Sequence, residues 1–539
     1  MKILAHPRTS LSLFLPLTCL AAAAGCASPL PEELTAVATM ESQCGFWDPQ
    51  DVELYDGTLG VTQAFVDQHE MPVGVVPSRC SGTLIARNLF LSTGSCYYQV
   101  GDTVSFNYQV DAQTGVTKAG DEFKVIEVVE QQDDANYNYS LVRLDLPAAD
   151  RYGTARIFDR DPSGGELLTV IAHPDDVDGF AKSVSTGSEA GLSTVGDNWF
   201  QHRVDTTFVS PGAGVLDSAG RLIGVNTDGG CHPVFPFGAN SALKMTALLD
   251  HSTTLQNLGS DGIWFSNGDN TFTKNSLTVR GHFIPFTGDF DGDGDDDVFW
   301  YGRGSGADFI WWSTGGAFTE QSVTVGGLYV PFVGNFDGQH GDDIFWYGPE
   351  EKADYIWWSD GDQTFTSESK TVSGDYIPVA GDFDGDDDDD IFWYGRKGRA
   401  DGIWWSNGGS FTMVSDTVSG DYFPIAGDFD DDGDDDIFWY APGSASSGLW
   451  WSNGTFFNKV SVSVGGYYMP FVGNFDGQHG DDIFWYAPGS VADGIWSSNG
   501  TGWFSWSAQT VSGQYHSVSG DFNNDGDSDI IWYGGPAKN

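Results

Sequence analysis

The sequence predicts an all-β protein of two domains, the second a six-bladed β-propeller. Three observations carry this. Six similar units fill the C-terminal half, opening at Asp261, Asp308, Asp354, Asp401, Ser447 and Asp493, 46 or 47 residues apart. Glycine is abundant, at 71 of 539 residues, and the charged fraction is only 19%, as expected of many turns between short strands. Residues 253–539 hold 45 of the 76 acids and 18 of the 20 tryptophans, which places a domain boundary near residue 252. A chain of 539 residues is in any case too long for one hydrophobic core.

Composition also excludes function classes. A net charge of −52 argues against nucleic acid and against anionic lipid surfaces. Hydrophobics at 40% and aromatics at 14% argue against a disordered acidic chain.

Lys2 and Arg8 precede an apolar run, Leu11 to Ala24, too short to span a membrane. Residues 1–25 read as a secretory signal peptide and 26–50 as a linker. Ala23-Ala24-Gly25-Cys26 resembles a bacterial lipobox. That resemblance implies cleavage before Cys26, lipidation of its sulfur, and a cell-envelope or outer-membrane location, with membrane contact only through the lipid. The alternatives are an ordinary signal peptide cut nearby and an extracellular product. Cys19 falls in the signal. Cys44, Cys80, Cys96 and Cys231 remain, and four cysteines in an exported chain read as two disulfides.

Residues 51–252 carry short β-rich runs such as Phe123 to Val129 and Leu167 to Ile171, separated by turn residues, which predicts a barrel or sandwich. Three stretches sharpen this: Cys80 to Cys96, Asn138 to Asp145, and Asp205 to Gly230. Together they resemble the trypsin-like serine proteases, closest to the glutamyl endopeptidase branch. The resemblance implies a chymotrypsin-like double β-barrel and a Cys80–Cys96 bridge; pairing of Cys44 with Cys231 stays open. It also assigns the triad positions. Ser95 stands at the histidine position, Asn138 at the acid position and Pro211 at the nucleophile position. A serine-protease triad needs a hydroxyl, an imidazole to take its proton and a carboxylate to orient the imidazole. Proline has neither a nucleophilic atom nor an N–H for an oxyanion. The expected catalytic residues are therefore none. Ser210 is the fallback nucleophile, with His202, His232 and His173 the histidines closest in sequence.

Each later unit reads as four short strands, which is propeller arithmetic. The link from Phe-Trp-Tyr to the next Gly-Ile-Trp-Trp looks like a hairpin within one blade. Blades then straddle the units, and the first and last strand pairs combine into one blade that closes the ring. Between two strands each unit has an acidic loop. In unit one, Asp289, Asp291, Asp293 and Asp297 can offer carboxylates, Asp295 a carbonyl, and Gly294 the tight turn. Asp428, Asp430, Asp432, Asp434 and Asp436 repeat the pattern, as do Asp521, Asn523, Asp525, Asp527 and Asp529. The third unit has Asp382, Asp384, Asp386 and Asp390, with Asp387 where glycine is expected. The loops at 335–343 and 474–482 carry Gln-His-Gly and are doubtful. The pattern resembles the calcium loops of integrin-type FG-GAP and VCBS repeats, which implies calcium as a structural ion. The recurring Trp-Trp pairs are expected to place one ring of each pair between blades.

The expected function is an exported, lipid-anchored, calcium-binding surface protein. An inactive trypsin-like domain and a propeller would mediate binding or adhesion to a protein or glycan. The alternatives are an active secreted serine endopeptidase with a displaced triad and accessory propeller, and a purely structural surface module.

Overall fold

A computed structural model describes residue 44 and residues 48–534, except for the short segments 77–79, 110–113, 117, 119, 174–181, 193–196, 207–209, 232–237, 305, 350–351, 397, 444–445 and 490–491. The signal peptide, Cys26 and His232 lie outside the described residues. No described helix is long and apolar enough to cross a membrane.

The first domain is two closed six-stranded barrels. Strands Val73–Val76, Cys80–Ala86, Leu89–Ser92, Asn138–Leu144, Asp121–Asp133 and Thr103–Phe106 close the first. Its interior is filled by rings and branched chains, among them Phe90, Phe106, Phe123 and Val142. The second barrel runs through Leu167–Ala172, Ser183–Leu192, Trp199–His202, Asn240–Lys244, Leu222–Asp228 and Gly214–Leu216. Gln50–Asp51 adds an edge strand to it, pairing with Val184 and Ser183. Disulfides join Cys80 to Cys96 and Cys44 to Cys231. The end of the expected 26–50 linker is thus built into the second barrel. Helices Met245–His251 and Thr253–Gln256 pack on this domain, and the first propeller strand begins at Gly262.

The propeller has six four-stranded antiparallel blades. Blades I to V cover 284–323, 330–370, 377–416, 423–463 and 469–509. Blade VI joins His516–Gly520 and Asp529–Tyr533 to Gly262–Ser266 and Phe272–Ser276, with Ile263 opposite Ile531. The strands of the two chain ends therefore close the ring, as the unit boundaries predict. Successive strand residues face opposite sides, so every residue of Phe299-Trp300-Tyr301 meets another blade or its own and all three are fully buried. The core is divided accordingly into clusters between neighbouring blades; one unites Phe299 and Tyr301 of blade I with Ile344 and Trp346 of blade II. In the Trp-Trp pairs, Trp312 is buried and Trp311 half-buried against Trp300 and Phe318.

Chain direction fixes the faces. In each blade the acidic loop follows the innermost strand and lies at one end of the ring, while the hairpin turn after Phe-Trp-Tyr lies at the other. The first domain docks on the second end. There Arg151 pairs with Asp375, Arg143 Nη1 donates to Gln514 Oε1 at 2.8 Å, and Gln68 Nε2 donates to the Arg303 carbonyl at 3.0 Å.

Candidate functional site

Of the three positions expected for a triad, Ser95 and Asn138 meet on the first barrel, and Pro211 is tied to the same barrel through Ser81. Ser95 sits on a short 3₁₀ turn, Gly94–Cys96, held by the Cys80–Cys96 bridge. Asn138 opens its strand beside that turn. Its Oδ1 accepts from the Ser95 N–H at 3.0 Å and from Thr93 Oγ1 at 2.6 Å. Thr93 Oγ1 also lies 3.2 Å from Ser95 Oγ. The Pro211 carbonyl accepts from the Ser81 N–H at 3.1 Å. Gly212 lies so close to Ser92 and Ser81 that a Cβ there would sit 2.1 Å from Ser92 Oγ and 2.2 Å from the Ser81 carbonyl. With φ at +92°, this position also demands glycine. The side chains at the three positions are thus a hydroxyl, a carboxamide and a pyrrolidine.

Ser210 is buried, and its carbonyl accepts from Asn226 Nδ2 and from the Ala213 N–H. His202 lies inside the second barrel with Nε2 3.1 Å from Asn226 Oδ1, and burial pushes it down to about 4. The His173 N–H donates to Ser81 Oγ. Asp205, in the same stretch as Ser210, accepts from the Cys44 N–H, and burial raises it to about 6.

The acidic loops form the second candidate site. Carboxylates at loop positions one, three and nine come within 4.8 Å of one another in three loops: Asp289, Asp291 and Asp297; Asp382, Asp384 and Asp390; Asp428, Asp430 and Asp436. Position nine is buried because it also ties the blade. Asp297 accepts from Ser313 N–H through one oxygen and Phe290 N–H through the other. Burial is the main reason that Asp297, Asp390 and Asp436 are each pushed up to about 8. Position five serves the turn, with Asp293 Oδ1 accepting from Asp295 N–H; Asp295 Oδ2 accepts from Gly315 N–H. Position three is different. Asp291 Oδ1, Asp384 Oδ1, Asp430 Oδ1 and Asn523 Oδ1 are all buried without a hydrogen-bond partner. Four orphaned oxygens at one loop position fit a hard cation, which would supply the missing contact.

Position eight has a role that no single unit of the sequence shows. Asp342 Oδ2 accepts from the Asp289 N–H at 3.0 Å, and the Asp342 N–H donates to the Asp289 carbonyl at 2.7 Å. Asp296 does the same for Asp521, Asp389 for Asn335, Asp435 for Asp382, Asp481 for Asp428, and Ser528 for Asn474. A belt of paired hydrogen bonds thus links all six loops. The signal was the recurrence of Asp at this place in five units.

Residues 80–225 match the model of the trypsin-like peptidase domain. Among solved structures, a Glu endopeptidase in complex with MPD is 18% identical, over 34% of this chain and 87% of that one, with a TM-score of 0.28. Neuropsin, a serine protease expressed in the limbic system of mouse brain, is 12% identical, over 33% of this chain and 91% of that one, with a TM-score of 0.27. No curated protein matches the chain. The molecule is a double β-barrel domain, matched over residues 80–225 by the trypsin-like peptidase model, followed by a six-bladed propeller.

Proposed function

We propose that this is a non-catalytic, exported surface protein, lipid-anchored through Cys26. Its trypsin-like domain has lost the triad, and its propeller uses calcium as a structural ion. The carrying observation is the Asn138 carboxamide against the Ser95 N–H at 3.0 Å. In this reading the side chain at the acid position lacks the charge, and its neighbour lacks the imidazole that charge would orient. Pro211 completes the loss, since it offers no nucleophile. The domain then acts through binding or adhesion, with a protein or glycan as ligand.

Calcium is held in this reading by Asp289, Asp291 and Asp297 and their counterparts at 382–390, 428–436 and 521–529. It supplies positive charge among carboxylates that otherwise repel one another. A calcium titration of the mature protein checks this; the absence of saturable binding would remove the ion from the proposal.

The direct test of the trypsin-like domain is peptide hydrolysis with fluorophosphonate labelling, in calcium and in chelator. Neither turnover nor labelling is expected from folded protein. Labelling at Ser210, with turnover abolished by Ser210→Ala, would establish instead a secreted endopeptidase with a displaced triad.

A further inference from the structure

Between the first domain and blades VI and I lies a cavity of about 700 Å³, within the size range of small-molecule sites. Ser95, Asn138 and Pro211 do not line it. Its chemistry runs against that of the chain. The protein carries 76 acids and 24 basic residues. Yet the cavity wall includes five arginines, Arg87, Arg156, Arg221, Arg280 and Arg303, and no Asp or Glu.

Three of these arginines are also short of acceptors. Arg303 Nε, Nη1 and Nη2 are all buried without a hydrogen-bond partner. Arg156 Nε and Arg87 Nη1 are in the same state. Among the described residues, every buried arginine nitrogen lacking a partner belongs to one of these three residues. A guanidinium carries five N–H donors and stays charged at physiological pH, so burying it without an acceptor is costly. Carboxylates that act on residues of the wall are already engaged. Asp150 takes Arg87 Nε at 2.8 Å, Asp217 takes Arg160 and Arg221 at 2.8 and 2.7 Å, and Glu70 takes Lys182 at 2.6 Å. No described carboxylate forms an ion pair with Arg156 or Arg303. The rest of the wall supplies flat apolar surface, including Phe65, Phe283 and Tyr515.

We propose that this cavity binds a small organic anion, with Arg303 and Arg156 turning onto its phosphate, sulfate or carboxylate oxygens and the aromatic wall covering its body. Forked guanidinium donors suit such oxygens in pairs. The ligand would bridge the two domains, because Arg156 belongs to the first and Arg303 to the propeller.

The experiment uses the mature full-length protein and two probes, phenyl phosphate and benzoate, by calorimetry and thermal melting. At least one probe is expected to bind one to one and raise Tm. Phosphate-type and carboxylate-type recognition are separated by which probe binds more tightly. Arg303→Met and Arg156→Met are each expected to weaken binding at least tenfold. Without ligand, Arg303→Met is expected to melt no lower than the parent, since it removes an unpaired buried charge. Arg303→Gln provides a second, polar variant with the same expected loss of binding. The proposal is overturned if neither probe binds the parent saturably, or if both Arg303 variants and Arg156→Met bind as the parent does. It is also overturned if Arg303→Met and Arg303→Gln both melt well below the parent without ligand, which would make Arg303 a structural support.

Discussion

At the scale of single residues, the sixth position of the acidic loop shows how far the backbone constrains the sequence. Gly294, Gly433 and Gly526 adopt φ of +93°, +95° and +89° there. The third unit has Asp387 in the same place, and it takes the same turn at +69°. His340 and His479 do so as well, at +66° and +57°. The loop shape therefore survives loss of the glycine at a conformational cost of about 1 kcal/mol, Asp being among the residues that tolerate this region best. Asp387→Gly is expected to raise stability by about that amount and to tighten calcium at the 382–390 loop. Urea denaturation with a parallel calcium titration measures both. Unchanged or lowered stability would show that the Asp387 turn is unstrained.

At the scale of elements, the blade repeats one set of ties. Tyr301 packs edge-on to Trp346 of the next blade with centroids 5.2 Å apart. The same contact recurs around the ring and ends with Tyr533 on Trp300 at 5.3 Å. The indole N–H groups of Trp300, Trp346, Trp393, Trp439, Trp485 and Trp532 are buried without an acceptor; packing against rings is their compensation. The belt of position-eight residues is the polar counterpart. At the closure, Asp296 Oδ2 accepts from the Asp521 N–H at 2.7 Å, joining residues at opposite ends of the propeller sequence. Asp296→Ala leaves that donor without its carboxylate and is expected to cost about 1–3 kcal/mol. Asp342→Ala, inside the repeat, is expected to cost about as much, and chemical denaturation of the two variants compares them. A neutral Asp296→Ala would mean the backbone pair alone carries the closure. Much of this architecture was legible: the unit spacing gave blades, and the hairpin reading gave a closed ring. Loop positions one, three and nine were legible because they recur and share one chemistry. Position eight was not, because its partner lies one blade away and only the closed ring brings the two together. The arginine cavity was not legible either, since Arg156 and Arg303 come from separate domains whose docking leaves no periodic trace.

At the scale of the whole molecule, the docking of the two domains is expected to be sensitive to acid. Three histidines border the cavity at the interface: His69 from the first domain, His282 and His516 from the propeller. Burial pushes each down to about 4. Around them, His282 also faces Arg156 and His69, and its Nε2 lies 2.5 Å from Thr154 Oγ1 across the interface. His516 has Arg87 nearby and Asp150 Oδ1 at 4.0 Å, while His69 faces Asp217. The unfolded chain takes up a proton on each near pH 6.5, and the folded chain only near pH 4. Between these values the unfolded state binds more protons. Stability from the neutral histidines is therefore complete above about pH 6.5 and is lost as pH falls towards 4, on the order of 1–2 kcal/mol each given their partial exposure. The acidic loops push the other way, because carboxyls raised by burial favour the folded state at low pH. Comparing the parent with His282→Gln, which keeps a polar partner for Thr154, cancels that background. The variant's Tm is expected to fall less than the parent's between pH 6.5 and 4. If the two Tm curves stay parallel across that window, the interface histidines are not the acid-sensitive groups.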